Sequence, residues 1–220
     1  MSRAAASRAE APEGPPHPRF SYRLDHIEAP AEAFETALSR GRMHHAWLLT
    51  GPEGIGKASF AYRAVRRLLG AAPAAGFGPL GASPDDPASR MIAAQSHPDL
   101  IVLERAVEGV TRKSIPVDEA RRLPEFFSKA PAIAAFRAAI IDAADDLNVN
   151  AANAVLKTLE EPSGRGVLFL VSHAPGRLLP TIRSRCRRLA FSRWSEPDLA
   201  AFARTHCDVD GEDAERLAAM

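Results

Sequence analysis

Seven residues limit what this chain can fold into more than any other feature. Gly51-Pro52-Glu53-Gly54-Ile55-Gly56-Lys57 follows a short apolar run, Ala46 to Thr50, and opens a stretch with helical spacing, Lys57 to Leu69. This is G-x-x-x-x-G-K between a strand and a helix, the setting in which the motif cradles phosphate. Glycines let successive backbone N–H groups turn inward around an anion. The helix start adds about half a positive charge. Lys57 would carry a cation to the β- and γ-phosphates. Gly51, Gly54, Ile55, Gly56, Lys57 and Ala58 are therefore the candidate nucleotide-contacting residues. The bland alternative is a glycine-rich turn with a solvent lysine; the flanking strand and helix weigh against it.

A loop of this kind belongs to a parallel sheet, and the rest of the chain agrees. Further apolar runs at Asp99–Leu103, Phe136–Asp142, Val167–Val171 and Arg188–Phe191 read as strands. Helical spacing marks Ala31–Ser39, Pro116–Ser128, Val149–Leu159 and Leu178–Arg185, with Pro124 expected to kink or interrupt the second of these. Alternating strands and helices predict an α/β domain with five parallel strands covered on both faces. Residues 70–97, rich in Gly and Pro, read as one long loop. Residues 1–19 read as a disordered tail, 20–193 as the α/β domain, and 194–220 as the start of a small helical lid that stops early, as in a truncated chain. Ser195-Glu196-Pro197-Asp198 opens that lid with a capping pattern.

Two groups that ATP hydrolysis needs are missing. The residue after the loop lysine should carry a hydroxyl for Mg²⁺, and it is Ala58. Ser59 lies about 100° further around the helix and cannot substitute. Asp142 ends an apolar strand and is a candidate indirect Mg²⁺ ligand, but Ala143 and Ala144 follow where a water-polarising Glu would stand. Asp145 and Asp146 come too late for the strand tip and are expected to cap or flank the next helix. A poor Mg²⁺ site follows, with ATP or ADP held weakly if at all.

Composition removes several other classes. The 28 Lys and Arg against 27 Asp and Glu leave a net charge of +1, and aromatic residues are 6%. That offers neither the cationic surplus of a free-standing duplex binder nor a stacking platform for single strands. No window reaches the ~18 apolar residues of a membrane span, so no membrane partner is expected. Cys186 and Cys207 are too few for a disulfide framework or a zinc site, which predicts a reducing, cytoplasmic setting. No metal site is expected.

A series of motifs carries a family resemblance. His44-His45-Ala46, the phosphate loop, His97-Pro98-Asp99, Ile115–Arg121, Asn153-Ala154-Val155-Leu156-Lys157-Thr158-Leu159-Glu160-Glu161-Pro162 and Ser184-Arg185-Cys186 occur in this order. Over roughly residues 22–220 the pattern resembles the AAA+ subunits of bacterial replicative clamp loaders, and most closely the delta-prime branch of the DNA polymerase III family. The resemblance implies a RecA-like AAA+ domain followed by a lid. It implies a non-motor, stator-like subunit of a heteropentamer with motor subunits (gamma/tau) and a delta subunit, which loads the sliding clamp on primed DNA. Arg185 would act in trans as an arginine finger on a neighbour's ATP, and Ser172 and His173 would occupy a vestigial sensor segment. Family members commonly carry a four-cysteine zinc module where residues 70–97 have no cysteine, so zinc is not expected. Polymerase activity would belong to the holoenzyme, and intrinsic ATPase activity is not expected.

The competing reading is an ATP-hydrolysing motor subunit, which Ala58 and Ala143 oppose. Locally, Arg185 stands among Arg183, Arg187 and Arg188, and such a cluster is ordinarily a solvated face. Cys186 reads as a small buried residue rather than a nucleophile, and His44 and His45 as packing or capping residues. Glu160 and Glu161 end a helix where carboxylates are unfavourable, which calls for a partner elsewhere in the fold.

Overall fold

The computed structural model describes residues 16–107 and 110–206. In chain order the elements are α1 (Glu28–Ser39), β1 (Ala46–Thr50), α2 (Lys57–Leu68), α3 (Pro87–Ala93), β2 (Leu100–Glu104), and the short strands β3 (Ala106–Val107) and β4 (Val110–Thr111). They continue with α4 (Val117–Ser128), β5 (Arg137–Asp142), α5 (Val149–Glu160), β6 (Gly166–Ser172), α6 (Pro180–Ser184), β7 (Arg187–Ala190) and α7 (Glu196–His206). Five strands pair in the order β2-β5-β6-β1-β7, all parallel, while β3 and β4 form a separate antiparallel pair.

The central strands are apolar because both faces of the sheet are covered there, while the edge strand β7 exposes three of its four residues. Every residue of β1 and of β6 is buried. Alternate side chains go to opposite faces. Trp47, Leu49, Ile140, Phe169 and Val171 meet α1 and α2, while Leu48, Ile141, Leu168 and Leu170 meet α4, α5 and α6. Phe34 of α1 centres the first layer, with ring centroids 5.4 Å from Trp47, 6.4 Å from Phe60 and 5.8 Å from Phe169. Full burial of each such side chain contributes about 1.5–3 kcal/mol. The chain leaves β1 and re-enters at β2, on the far edge of the sheet. The carboxyl end of β1 therefore lies where strand order switches, the place at which open α/β sheets bind ligands.

Several sequence expectations are revised. Residues 70–97 are not one loop: α3 forms within them. Asp86 caps it by accepting from the N–H groups of Ala88 and Ser89, Pro87 holds its first position, and Ile92 is fully buried. Pro124 does not interrupt α4, which runs through it. Ala120, Leu123 and Phe127 anchor both halves in the core, which outweighs one missing intrahelical bond. Arg63 and Arg66 look like the polar face of α2, yet each is only 1% exposed. They serve irregular backbone packed on the outside of α2. The Arg63 guanidinium donates to the carbonyls of Tyr22, Phe77 and Pro79, and that of Arg66 to Ser21 and Arg19. Burial pushes Arg63 down to about 10, with Arg66 beside it adding to the shift. Residues 16–19, grouped with the tail by sequence, are described: Pro18–Phe20 forms a single 3₁₀ turn against α2 and α3. Residues 1–15 and 207–220, with the rest of the expected tail and lid, lie outside the described residues.

Candidate functional site

The glycine-rich segment joins β1 to α2 in the strand–loop–helix setting that the sequence predicts, and its glycines are required by geometry at two points. A Cβ on Gly51 would lie 2.3 Å from the carbonyl oxygen of Phe191, which follows β7. Gly56 caps α2 at φ +89°, in the left-handed region. Lys57, the first residue of α2, is 3% exposed. Its ammonium donates to the carbonyl of Gly51 at 2.8 Å and to that of Pro52. Burial lowers its pKa, opposed by the charges of Asp142, Asp145 and Glu53. Ile55 and Ala58 pack against the first core layer. Ser59 turns away from the loop and donates to the hydroxyl of Ser21 at 3.1 Å.

Asp142 ends β5 opposite Glu104 at the tip of β2. Burial pushes its carboxyl up to about 6 and neighbouring Glu104 adds to the rise, against the opposing influence of His173, His17 and Lys57. Glu104 was not singled out from sequence. It accepts from the Tyr62 hydroxyl at 3.1 Å, and its other oxygen lies 3.2 Å from His17 Nε2. The signal was present: Leu100–Glu104, like Arg137–Asp142, is an apolar strand closing on a carboxylate.

Asp145 and Asp146 flank α5, in a 3₁₀ turn over Ala144–Asp146, but do not cap it. Asn148 does, accepting from the N–H of Ala151 at 2.9 Å. Asp145 instead clamps the end of β6, accepting from the Ser172 hydroxyl at 3.0 Å, the His173 N–H at 2.7 Å and the Ala174 N–H at 3.1 Å. Asp146 faces Arg105 at 3.6 Å. The Ser172 hydroxyl, the expected sensor group, is thus committed to a carboxylate and fully buried. These donors do not fit a Mg²⁺ ion. No hydroxyl follows Lys57, and Ser59 is turned to Ser21.

Arg185 lies elsewhere. It caps the C-terminus of α6, whose Ile182 belongs to the α4–α5 layer, across the sheet from α2. Its guanidinium donates from Nη1 to the Thr181 carbonyl at 3.2 Å, and Nη2 lies 3.2 Å from Glu160 Oε1. The fold therefore separates Arg185 from the loop of its own chain and supplies the partner that Glu160 lacked. The surrounding arginines are not one patch: Arg187 stacks over the Trp47 ring at 4.9 Å and Arg188 donates to Thr50 Oγ1 at 2.9 Å. Burial pushes the Cys186 thiol up to about 12, which suits packing rather than nucleophilic attack. His44 and His45 stack 4.5 Å apart at the entrance to β1. His97-Pro98-Asp99 is structural: the Asp99 carboxylate accepts from the N–H groups of Ala132, Ile133 and Ala134. Among the described residues no group of three or more His, Cys, Asp or Glu is placed to hold a metal ion, and no helix is long and apolar enough to cross a membrane.

Comparison with known proteins agrees with this geometry. Residues 27–195 match the family model for the DNA polymerase III, delta subunit. The DNA polymerase III subunit delta' of Pseudomonas aeruginosa is 41% identical over 82% of this chain and 53% of its own length. The subunit gamma/tau of Mycobacterium bovis is 31% identical over 85% of this chain and 30% of its own. This chain thus spans about half, or less, of the curated relatives it matches. Among solved structures, a gamma-subunit-related protein of Thermotoga maritima superposes with a TM-score of 0.54 at 22% identity, covering 88% of this chain and 58% of that one. The RuvB branch-migration motor of the same organism gives 0.51 at 17% identity, covering 92% and 60%. Fold, motif order and family model converge: the chain belongs to the DNA polymerase III, delta subunit family, among the RecA-like AAA+ subunits of bacterial clamp loaders.

Proposed function

We propose that this chain is a non-motor subunit of the bacterial clamp loader and that it supplies Arg185 in trans to the ATP site of a neighbouring subunit. One observation carries the reading: Arg185 ends α6, which packs on the face of the sheet opposite α2, the helix that its own loop opens, and its side chain is 37% exposed. A guanidinium so placed can stabilise charge on a γ-phosphoryl group brought by another chain. The subunit's own site supports this by what it lacks. Ala58 and Ala143 replace the metal-binding and water-polarising groups, and Ser172 is engaged by Asp145. The partners would be gamma/tau motor subunits and a delta subunit in a heteropentamer in the cytoplasm, with the sliding clamp and primed DNA reached through the complex. Nucleotide, ATP or ADP, would bind weakly through the backbone cradle and Lys57, with no Mg²⁺ requirement and no zinc.

The second reading, a gamma/tau-like motor, is favoured only by the retained loop. Titrating the protein in its full natural length with a fluorescent ATP analogue, with and without Mg²⁺, separates the two. The non-motor reading expects weak binding indifferent to Mg²⁺ and no turnover. Mg²⁺-dependent binding with turnover abolished by Lys57→Ala would overturn it.

A further inference from the structure

Glu160 is the last residue of α5. A carboxylate there faces the negative end of the helix dipole, so α5 itself gains nothing from it. Its contact is with Arg185, and both side chains are part-exposed, at 50% and 37%. An exposed pair of that kind adds little to folding stability. What it does fix is a direction. The Arg185 guanidinium has one nitrogen on the Thr181 carbonyl, four residues back in its own chain, and another on Glu160. One hydrogen bond on Nη1 and one ion pair at Nη2 hold the planar fork at two of its three nitrogens and so set its orientation. Four of its five N–H donors are not hydrogen-bonded in these two contacts. A long arginine side chain otherwise samples many rotamers, and a misplaced catalytic group costs rate.

We propose that Glu160 is a positioning residue for Arg185, holding the guanidinium in the orientation in which it meets the γ-phosphate of the adjoining subunit. The proposal rests on the trans-arginine reading above. Glu160 itself touches no nucleotide: its carboxylate faces one edge of the fork as an ion pair and leaves the other edge to the phosphate.

The test is steady-state ATP hydrolysis by the assembled clamp loader, with clamp and primed DNA, carrying Glu160→Ala, Glu160→Gln, Arg185→Ala or the double substitution Glu160→Ala/Arg185→Ala in the full-length subunit. Glu160→Ala should lower kcat about fivefold, equivalent to about 1 kcal/mol, with KM for ATP little changed. Glu160→Gln, which keeps an oxygen in place but removes the charge, should recover only part of the loss. In the Arg185→Ala background, Glu160→Ala should cost nothing further, and a general defect in folding would show itself there as an added loss. Wild-type activity in Glu160→Ala alongside an impaired Arg185→Ala overturns the positioning role and leaves the trans reading standing. A rise in kcat, or a further loss in the Arg185→Ala background, likewise overturns it. Full activity in Arg185→Ala removes the reading on which it depends.

Discussion

Replacing Asp99 with Asn should unfasten the entry to β5. The Asp99 carboxylate is fully buried and accepts from three successive backbone N–H groups, Ala132 at 2.6 Å, Ile133 at 2.8 Å and Ala134 at 3.0 Å, with Arg137 Nε at 3.5 Å. Burial alone would raise its pKa, but those donors and Arg137 outweigh it and hold the carboxyl below the usual range. An asparagine oxygen can accept from two of the three, and its NH₂ then faces the remaining N–H. The three bonds lose their charge assistance and one donor goes unsatisfied, although water reaches the exposed Ala132 and Ile133. With hydrogen bonds to charged groups worth about 1.5–3 kcal/mol and a lost partner about 1–3 kcal/mol, the net cost is about 2–4 kcal/mol. For a chain of this size that lowers Tm by about 5–12 °C at pH 7. The sign with pH follows from the lowered folded-state pKa. The stabilisation is fully present above the unfolded value near 4 and is lost as pH falls through the folded value. Thermal unfolding followed by circular dichroism at pH 7 and at stepwise lower pH measures both. A variant within about 0.5 kcal/mol of wild type at pH 7, or a gap that does not shrink on acidification, refutes the assignment.

Asp142→Asn should act in the opposite sense. With a folded-state value near 6 against an unfolded value near 4, ionised Asp142 destabilises the fold, so wild-type stability falls as pH rises from about 4 to about 6. The variant should be about 1–3 kcal/mol more stable than wild type at pH 7 and equal to it at pH 4, by urea unfolding. Gly51→Ala places a Cβ against the Phe191 backbone and should cost about 2–3 kcal/mol, read from the denaturation midpoint. Asn148→Ala removes the α5 cap and should cost about 1 kcal/mol, which hydrogen exchange in the first turn of α5 would register as faster.

What was legible in the sequence was what repeats locally. The central strands β1, β5 and β6 announce themselves as apolar runs because they are buried on both faces, and the loop announces itself because glycine spacing and a following lysine serve one geometry. The α3 helix carried a readable signal, Asp86-Pro87 at its start, obscured by the glycines and prolines around it. Arg63 and Arg66 could not be read as buried from α2 alone, because what buries them is backbone at 19–22 and 77–79. Asp145 flanks α5 as expected, but its role was not readable for a similar reason: its donors come from Ser172, His173 and Ala174, 27 or more residues away. The helical dipole showed that Glu160 needed a partner, but only the packing of α6 on α5 named it as Arg185.

The central claim is that Arg185 works on a neighbour's nucleotide while the chain's own loop is catalytically silent. Steady-state ATP hydrolysis by the reconstituted loader, comparing Arg185→Ala and Lys57→Ala in this subunit with wild type in the presence of clamp and primed DNA, tests it most directly. The account predicts a loss of more than about tenfold at the affected site with Arg185→Ala and nearly unchanged turnover with Lys57→Ala. The reverse pattern, full activity without Arg185 and a large loss without Lys57, would mean that this subunit hydrolyses its own nucleotide and would contradict the account.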